Sequence, residues 1–368
     1  MLTDPLAPYL LWAKRRAPAA IDLAGSNLVA CTWTDVPGAR EAVALTAPND
    51  DGYGPLLERI AAHYGRSPDA VATAGGCSGA NFLVVAALVG AGDHVLVEQP
   101  TYDPLLGICH LLGARVRRFQ RTFDEGFRVV PGRVREALTP QTRLVVITAP
   151  HNPSGVDVDE ETLVAVAREA DRVGAVVLVD EVYLDLANAV APRPRRAAAS
   201  LDGPFVSTSS LTKSYGLAGL RAGWAVAPAA IAERLRRTRD VVDNAGSAPA
   251  DSLAAHAWSR QPALLARGRA VLDENLAACR RLLAACPELE VAAPPAASVV
   301  FPRLAGQADA GPFVARTLAD HGVAVGPGTF FDAPAHFRVS LASAPARVVE
   351  GLDRLAAAVA AGRRPPPG

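Results

Sequence analysis

The segment from residue 210 to 224, SLTKSYGLAGLRAGW, holds one of only two lysines in a chain that has 37 Lys plus Arg residues. A lysine amine can lose its proton and form an imine with a carbonyl compound, whereas arginine stays charged. Lys213 is therefore a candidate for Schiff-base chemistry. The alternative is a lysine kept by chance at the surface, which Lys14, next to Arg15 and Arg16, resembles.

Two features could bind an anion near this lysine. Arg221, eight residues after Lys213, carries a planar fork of N–H donors that suits a phosphate. The glycine-rich stretch 75–81, GGCSGAN, lies between a predicted strand and a helical pattern, where free backbone N–H groups can bind an anion. It lacks the endings of a P-loop and of GxGxxG, so an ordinary strand-to-helix turn stays an alternative.

Two more polar stretches follow predicted strands. Asn152 lies in HNPSG, whose Asn-Pro and Ser-Gly pairs are also typical of a plain turn. Asp180 ends an apolar strand, where an acid is costly unless it is paired or functional, although it could also be exposed. Tyr183, three residues on, would point into the same crevice if the chain turns helically there.

Ligands of open parallel sheets bind outside the carboxyl ends of the strands, so these four stretches are expected to meet. Together they offer an anion cradle, an Asn, an Asp with a Tyr, and a Lys with an Arg. An aldehyde cofactor with a phosphate and a ring nitrogen would use all of them. The sequence therefore predicts a site for pyridoxal phosphate and no metal site.

The elements that must position these side chains follow an α/β pattern. Short β-branched runs alternate with Ala- and Leu-rich helical stretches, and near-continuous apolar strands of this kind predict a mostly parallel sheet covered on both faces. The predicted strands are 72–74, 95–98, 115–119, 144–148, 176–180, 205–208 and 222–227.

The pattern changes after about residue 248. Helical stretches at 250–259 and 264–285 precede two strand-like pieces, and a final helix is predicted at 346–361. We predict a large cofactor-binding domain over residues 45–247 and a smaller domain from residues 1–44 and 248–368. Residues 363–368 are expected to fray.

Composition argues against several classes of protein. The formal net charge is zero and the basic runs are short, which argues against a nucleic-acid partner. No apolar run free of charges reaches about 18 residues, so no membrane span is predicted. The chain has five cysteines and no CxxC pair, and its N-terminal segment does not resemble a signal peptide. Both observations fit a reducing cytoplasm.

In four motifs the sequence resembles fold-type I pyridoxal-phosphate enzymes, specifically the class I/II aminotransferases. The motifs are HNPSG, VLVDEVY, SSLTKSYGLAGLRAGW and, more loosely, HFRVSLA, and they follow the family order over nearly the whole chain. The resemblance implies an aspartate-aminotransferase-like fold. In that fold a large domain has a mostly parallel seven-stranded sheet between helices, and a smaller domain is α+β.

The resemblance also implies catalytic roles. Lys213 would form the internal aldimine and later move a proton between the substrate α-carbon and the cofactor. Asp180 would pair with the protonated pyridine nitrogen and keep the ring an electron acceptor. Asn152 and Tyr183 would hydrogen-bond the phenolic oxygen of the cofactor.

Further residues would bind the phosphate and the ring. Ser210, Arg221 and the backbone N–H groups of Gly76 and Cys77 would hold the phosphate. Tyr102 would stack on the pyridine face, with an ordinary packed tyrosine as the alternative. Cys77 departs from the Ser or Thr that is frequent in the family, which weakens one phosphate contact.

The substrate and a partner subunit would meet at the same site. Arg338 looks like the family arginine that takes the substrate α-carboxylate, with Asn152 beside it. Tyr53 looks like the tyrosine that reaches the phosphate of the neighbouring subunit, which implies a homodimer with shared active sites. No clear second arginine for a side-chain carboxylate is present, which argues against aspartate or glutamate as the preferred donor.

Three functions remain open at this point. The first is amino transfer between an L-amino acid and a 2-oxo acid. The second is another pyridoxal-phosphate reaction on the same scaffold, by a lyase, cyclase or oxidase of a biosynthetic pathway. The third, a sensor fused to a DNA-binding module, is disfavoured because no N-terminal extension carries such a module. The amino acid itself is not predicted.

Overall fold

The structure is a computed structural model that describes residues 6–362. The described residues form fourteen strands, seven of which belong to one central sheet. The strands are β1 (Ile21–Asp22), β2 (Val71–Gly75), β3 (His94–Gln99), β4 (Arg115–Gln120), β5 (Thr142–Thr148), β6 (Val176–Asp180), β7 (Phe205–Ser210), β8 (Ala222–Val226), β9 (Leu289–Glu290), β10 (Val299–Val300), β11 (Arg303–Leu304), β12 (Val323–Ala324), β13 (Gly326–Pro327) and β14 (Phe337–Ser340).

The central sheet has the order β2-β8-β7-β6-β5-β3-β4. Strand β8 runs antiparallel to both of its neighbours, and all other neighbouring pairs are parallel. Each of the seven strands predicted from the sequence overlaps one of these strands. The mostly parallel seven-stranded sheet is thus confirmed.

Helices cover both faces of this sheet, because most side chains of its five inner strands are buried. In β6, Leu178 packs in a cluster with residues of α4 and α9, while Val177 and Val179 pack in another cluster with residues of α7. The α-helices of the described chain are α1 (Pro8–Arg15), α2 (Ala39–Ala42), α3 (Gly54–Tyr64), α4 (Gly76–Leu88), α5 (Asp103–Leu111), α6 (Pro131–Ala137), α7 (Glu160–Asp171), α8 (Leu184–Val190), α9 (Ala229–Val242), α10 (Ala248–Trp258), α11 (Gln261–Ala285), α12 (Gly311–His321) and α13 (Pro345–Ala361).

The short strands form three small sheets outside the central one. Strand β1 pairs with β12, β14 lies between β10 and β13, and β9 pairs with β11. Helices α11, α12 and α13 pack with these strands around their own hydrophobic cluster, which includes Leu272, Phe337 and Leu352. A second core of α+β character is therefore present beside the central sheet.

The predicted domain boundaries at residues 45 and 247 stay a prediction. Helix α10 follows the second boundary, yet it packs against α3 and shares a cluster with Trp224 of the central sheet. Residues 363–368, expected to fray, lie outside the described residues. Among the described helices, none has the length and apolar character needed to span a bilayer.

The topology brings the predicted functional stretches to one edge. Strands β2, β5, β6 and β7 all run in the same direction, so their carboxyl ends lie together. Gly75, Thr148, Asp180 and Ser210 are the last residues of these four strands. This is the edge at which ligands of open α/β sheets bind.

Candidate active site

A cavity of about 280 Å³ opens at this edge of the sheet. It brings together nine of the residues predicted from the sequence, from positions as distant as 77 and 338. They are Cys77, Tyr102, Asn152, Asp180, Tyr183, Ser210, Lys213, Arg221 and Arg338. Asp180 and Tyr183 share the cavity because a turn leads from β6 into α8, as expected from their spacing.

Lys213 lines this cavity, and two side chains accept hydrogen bonds from its amine. Its Nζ donates to Oγ of Ser26 at 3.0 Å and to Oδ1 of Asn27 at 2.6 Å. Burial, and then the positive charge of Arg338, lower the pKa of Lys213 to about 7, although Asp180 acts in the opposite direction. A large fraction of this amine is therefore neutral and nucleophilic near neutral pH.

The Asp180 carboxylate is buried and surrounded by hydrogen-bond donors. Oδ2 accepts from Nδ2 of Asn81 at 2.7 Å, and Oδ1 accepts from the Val182 backbone at 3.2 Å and from Sγ of Cys77 at 3.3 Å. Burial raises the pKa of Asp180, while the Asn81 donor and the others favour the charged form. Thr208 donates to Oδ1 of Asn81 at 2.6 Å and so fixes the orientation of that amide.

The predicted anion cradle is built from close backbone contacts between β8 and the start of α4. A Cβ on Gly223 would lie 2.2 Å from the carbonyl carbon of Gly76, and a Cβ on Gly76 would lie 2.4 Å from Nη2 of Arg221. Arg221 itself adopts φ 53° and donates to the carbonyl of Gly75 at 3.2 Å. The guanidinium thus lies against the N-terminus of α4, where backbone N–H groups are unpaired.

Arg338 is a buried residue that also lines the cavity. Nη1 donates to Oδ1 of Asn152 at 2.6 Å, and Nη2 donates to Oη of Tyr9 at 2.5 Å and to the carbonyl of Ala24 at 2.7 Å. Its guanidinium also lies over the rings of Tyr9 and Phe331, 4.9 and 5.0 Å from their centroids. These contacts hold a fixed cation in the cavity.

The tyrosines differ in their positions. Oη of Tyr183 lies 2.9 Å from Oγ of Ser26, and burial raises the pKa of Tyr183 to about 12. Tyr102 lines the cavity just before α5. Tyr53 precedes α3 and is not among the residues that line this cavity. Gly76 is not a lining residue either, because it lies directly behind the side chain of Arg221.

The family described as aminotransferase class I and II matches residues 39–355. The chain belongs to this family. The family has the aspartate-aminotransferase-like fold and uses pyridoxal phosphate as its cofactor. The predictions of this fold and of this cofactor are therefore confirmed.

Similar proteins cover nearly the whole chain. Capreomycidine synthase of Streptomyces vinaceus is 31% identical over 364 residues, which cover 95% of this chain and 92% of the synthase. A PLP-dependent aminotransferase from Streptococcus suis has a TM-score of 0.91 at 25% identity, covering 99% of this chain and 100% of that one. The PLP-dependent cyclase OrfR has a TM-score of 0.87 at 26% identity, covering 98% of both chains.

The residues of the cavity fit pyridoxal phosphate. Asp180 is a buried carboxylate whose hydrogen-bond donors are all neutral, and a protonated ring nitrogen would supply the missing cation. The close glycine contacts behind Arg221 leave the backbone N–H groups at the N-terminus of α4 to bind the phosphate. Lys213 provides a partly neutral amine for the aldehyde.

Sequence reasoning missed several residues that contact the predicted ones. Tyr9, Ser26, Asn27 and Asn81 were not proposed as site residues. Asn81 could have been suspected, since it is a buried amide within the largely apolar helix α4. No local signal marks Tyr9, because its contact with Arg338 spans 329 positions.

The cradle predicts a specific effect of Gly223→Ala. The added methyl group would overlap the backbone of Gly76, so we expect a loss of about 1–3 kcal/mol in unfolding free energy together with weaker cofactor binding. Gly75→Ala is the matched control, because a Cβ there meets nothing within 4 Å. Thermal unfolding and cofactor titration measure both effects, and equal behaviour of the two variants would contradict the close approach.

Proposed function

We propose that this enzyme transfers an amino group from an L-amino acid to a 2-oxo acid, with Lys213 as the residue that binds the cofactor. The observation that carries the proposal is the convergence of the Lys213 amine, the Asp180 carboxylate and the Arg338 guanidinium on one cavity. Membership in the aminotransferase family supports the same reaction. The amine, the carboxylate and the guanidinium would bind the cofactor aldehyde, the cofactor ring nitrogen and the substrate carboxylate, respectively.

Lys213 and the cofactor divide the chemistry between them. When bound, pyridoxal phosphate supplies an aldehyde that takes up an amino group and a ring that accepts the electron pair released at the α-carbon. The neutral Nζ of Lys213 can attack a carbonyl carbon, and once displaced it can accept a proton from the substrate α-carbon. A pKa of about 7 suits both tasks near neutral pH.

The other residues would orient the cofactor and set the charges around it. The negative charge of Asp180 would hold a proton on the ring nitrogen, with Asn81 keeping the carboxylate in place. Tyr183 and Asn152 would hydrogen-bond the phenolic oxygen. Ser210 and Arg221, with the N–H groups of Gly76 and Cys77, would hold the phosphate. Tyr102 would cover the ring face.

Arg338 would hold the α-carboxylate of the substrate. Its guanidinium is buried and its Nε finds no hydrogen-bond partner among the described residues. A carboxylate would supply an acceptor for this donor and would offset the buried positive charge. Asn152, which already contacts Nη1, would lie beside the bound substrate.

The test of this proposal is the two half-reactions, observed separately. An amino acid donor should convert the enzyme to its pyridoxamine form, with loss of the visible absorbance of the cofactor. A 2-oxo acid should then restore that absorbance. A broad panel of amino acids identifies the donor, and failure of every member to cause the conversion would overturn amino transfer.

A cyclase is the second candidate, because capreomycidine synthase is similar over nearly the full length of both chains and OrfR shares the fold. A cyclase would use the same lysine, aspartate and phosphate contacts. It would return the cofactor to its starting form without a 2-oxo acid. Mass spectrometry of the product from a consumed amino acid therefore distinguishes the two reactions.

We also infer a homodimer with shared active sites, in the cytoplasm. Large apolar side chains are exposed on the single chain, with Trp33 52% and Val241 88% exposed. Trp33 also borders an apolar cavity of about 520 Å³, together with Leu217, Leu220 and Leu253. Exposed surface of this kind favours burial against a second copy. None of the five cysteines forms a disulfide, in keeping with a reducing compartment.

The proposed dimer predicts that Tyr53 hydrogen-bonds the phosphate of the cofactor bound in the neighbouring subunit. Sedimentation should report two chains, and Tyr53→Phe should weaken cofactor affinity about tenfold without changing that mass, since one charge-assisted hydrogen bond is lost. Tyr64→Phe would be a poor control, because the Tyr64 hydroxyl accepts a hydrogen bond from Nε1 of Trp224. Tyr53→Leu is therefore measured as a second variant of the same residue. Unchanged affinity in both Tyr53 variants would contradict the shared site.

A further inference from the structure

The proposed roles leave one pair of contacts in the cavity without a function. The Lys213 amine donates to Ser26 at 3.0 Å and to Asn27 at 2.6 Å, although these residues lie 187 and 186 positions away along the chain. Both side chains come from the segment between β1 and α2. The two contacts fix the position of the Lys213 amine within the cavity.

The segment that carries Ser26 and Asn27 is fixed in place by backbone contacts on the far side. The Val29 N–H donates to Ala342 at 2.8 Å, and the Cys31 N–H donates to Gly216, in the same loop as Lys213, at 2.9 Å. A Cβ on Gly216 would lie 2.5 Å from the Val29 carbonyl, so the two loops approach as closely as glycine permits. Arg267 adds a bond to that carbonyl at 3.0 Å.

The two acceptors have different hydrogen-bonding capacities. Oδ1 of Asn27 can only accept, so the amine must be the donor in that contact. The Ser26 hydroxyl can accept from Lys213 and donate its single proton to Oη of Tyr183, 2.9 Å away. Ser26 therefore joins Lys213 to the tyrosine that would hydrogen-bond the cofactor.

We propose that Ser26 and Asn27 are positioning residues that hold the Lys213 amine whenever it is displaced from the cofactor. An amine displaced from the cofactor would have to stay close to the site of reaction, and these two acceptors would hold it there. The inference rests on the proposed function only for the role of Lys213 as the residue that binds the cofactor.

Both residues should then favour the protonated amine, because each accepts from it. The remaining charges around Lys213 act in both directions: Arg338 from β14 and Arg221 disfavour the ammonium, while Asp180 from β6 and Cys77 from α4 favour it. Replacing either acceptor by alanine leaves these charges in place. The change in the proton affinity of Lys213 therefore reports the lost hydrogen bond.

The experiment uses the unusual lysine content of the chain. With Lys14 as the only other lysine, trace acetylation followed by mass spectrometry gives the reactivity of Lys213 against an internal reference. The rate is measured against pH for the full-length enzyme reconstituted with pyridoxamine phosphate, in which Lys213 is free. This measurement requires cofactor binding but no turnover, so it stays informative if the proposed reaction is wrong.

Four variants decide the outcome. We expect Ser26→Ala and Asn27→Ala to lower the pKa of Lys213 by about half a unit or more, and Asn27→Asp to raise it, because a carboxylate attracts the ammonium. Ser78→Ala is the control, since Ser78 lines the same cavity and no hydrogen bond joins it to Lys213. Lys213 pKa values in the Ser26 and Asn27 variants equal to that of Ser78→Ala would overturn the proposal.

Discussion

Lys213→Ala is expected to reduce kcat/KM more than about a thousandfold and to abolish the visible absorbance of the isolated holoenzyme. The variant loses both the amine that binds the aldehyde and the base at the α-carbon, and each contributes orders of magnitude. Stopped assays with the best amino donor and an absorbance spectrum measure the two effects. Lys14→Ala removes the other lysine and should leave both unchanged.

The lowered pKa of Lys213 adds a pH dependence to this expectation. For an ordinary lysine the neutral fraction at pH 7 is about a thousandfold smaller than for one with a pKa of about 7. The rate at which the cofactor-free enzyme takes up pyridoxal phosphate should thus rise with pH toward 7 and then level off. A borohydride-reducible lysine–cofactor bond in Lys213→Ala protein would contradict the assignment of this lysine.

Asp180→Asn is expected to lower kcat by at least about a hundredfold with a smaller change in KM. The amide keeps the size of the carboxylate but removes the negative charge that would hold a proton on the cofactor ring, so the ring loses its capacity to accept electrons. Steady-state kinetics measure the loss. The absorbance of the bound cofactor, titrated with pH, shows whether the ring environment has changed.

The control for Asp180→Asn is Asp202→Asn, which removes an exposed carboxylate remote from the cavity and should preserve activity. Because burial raises the pKa of Asp180 in the chain without cofactor, acidification should protonate this carboxyl before an exposed one and so slow the uptake of pyridoxal phosphate. A fall in kcat smaller than about tenfold in Asp180→Asn would contradict the proposed pairing with the ring nitrogen.

Much of the fold and the cofactor could be predicted from local sequence. Most strands of the central sheet are short apolar runs, and their alternation with helical stretches indicates a mostly parallel sheet with two covered faces. The carboxyl ends of parallel strands share one edge, which is why Asp180 and Ser210 could be expected to meet. The rarity of lysine then singled out Lys213.

The partners of those residues depended on tertiary structure. Asn81 contacts Asp180 from a helix 99 positions earlier, and the environment of Arg338 includes a tyrosine 329 positions away. Such contacts leave no periodic signal, because hydrogen bonding between distant side chains depends on how separate elements pack. The same holds for the direction of the Cys77 side chain, which points to Asp180.

The sequence by itself determined the α/β class, the pyridoxal-phosphate cofactor and the candidate lysine, since each follows from residue types at short spacing. Only the tertiary structure decided what surrounds that lysine. Its lowered pKa results from burial and from Arg338, and its hydrogen bonds come from Ser26 and Asn27 in another part of the chain. Proton affinity and position depend on the three-dimensional surroundings of a group, which no local pattern encodes.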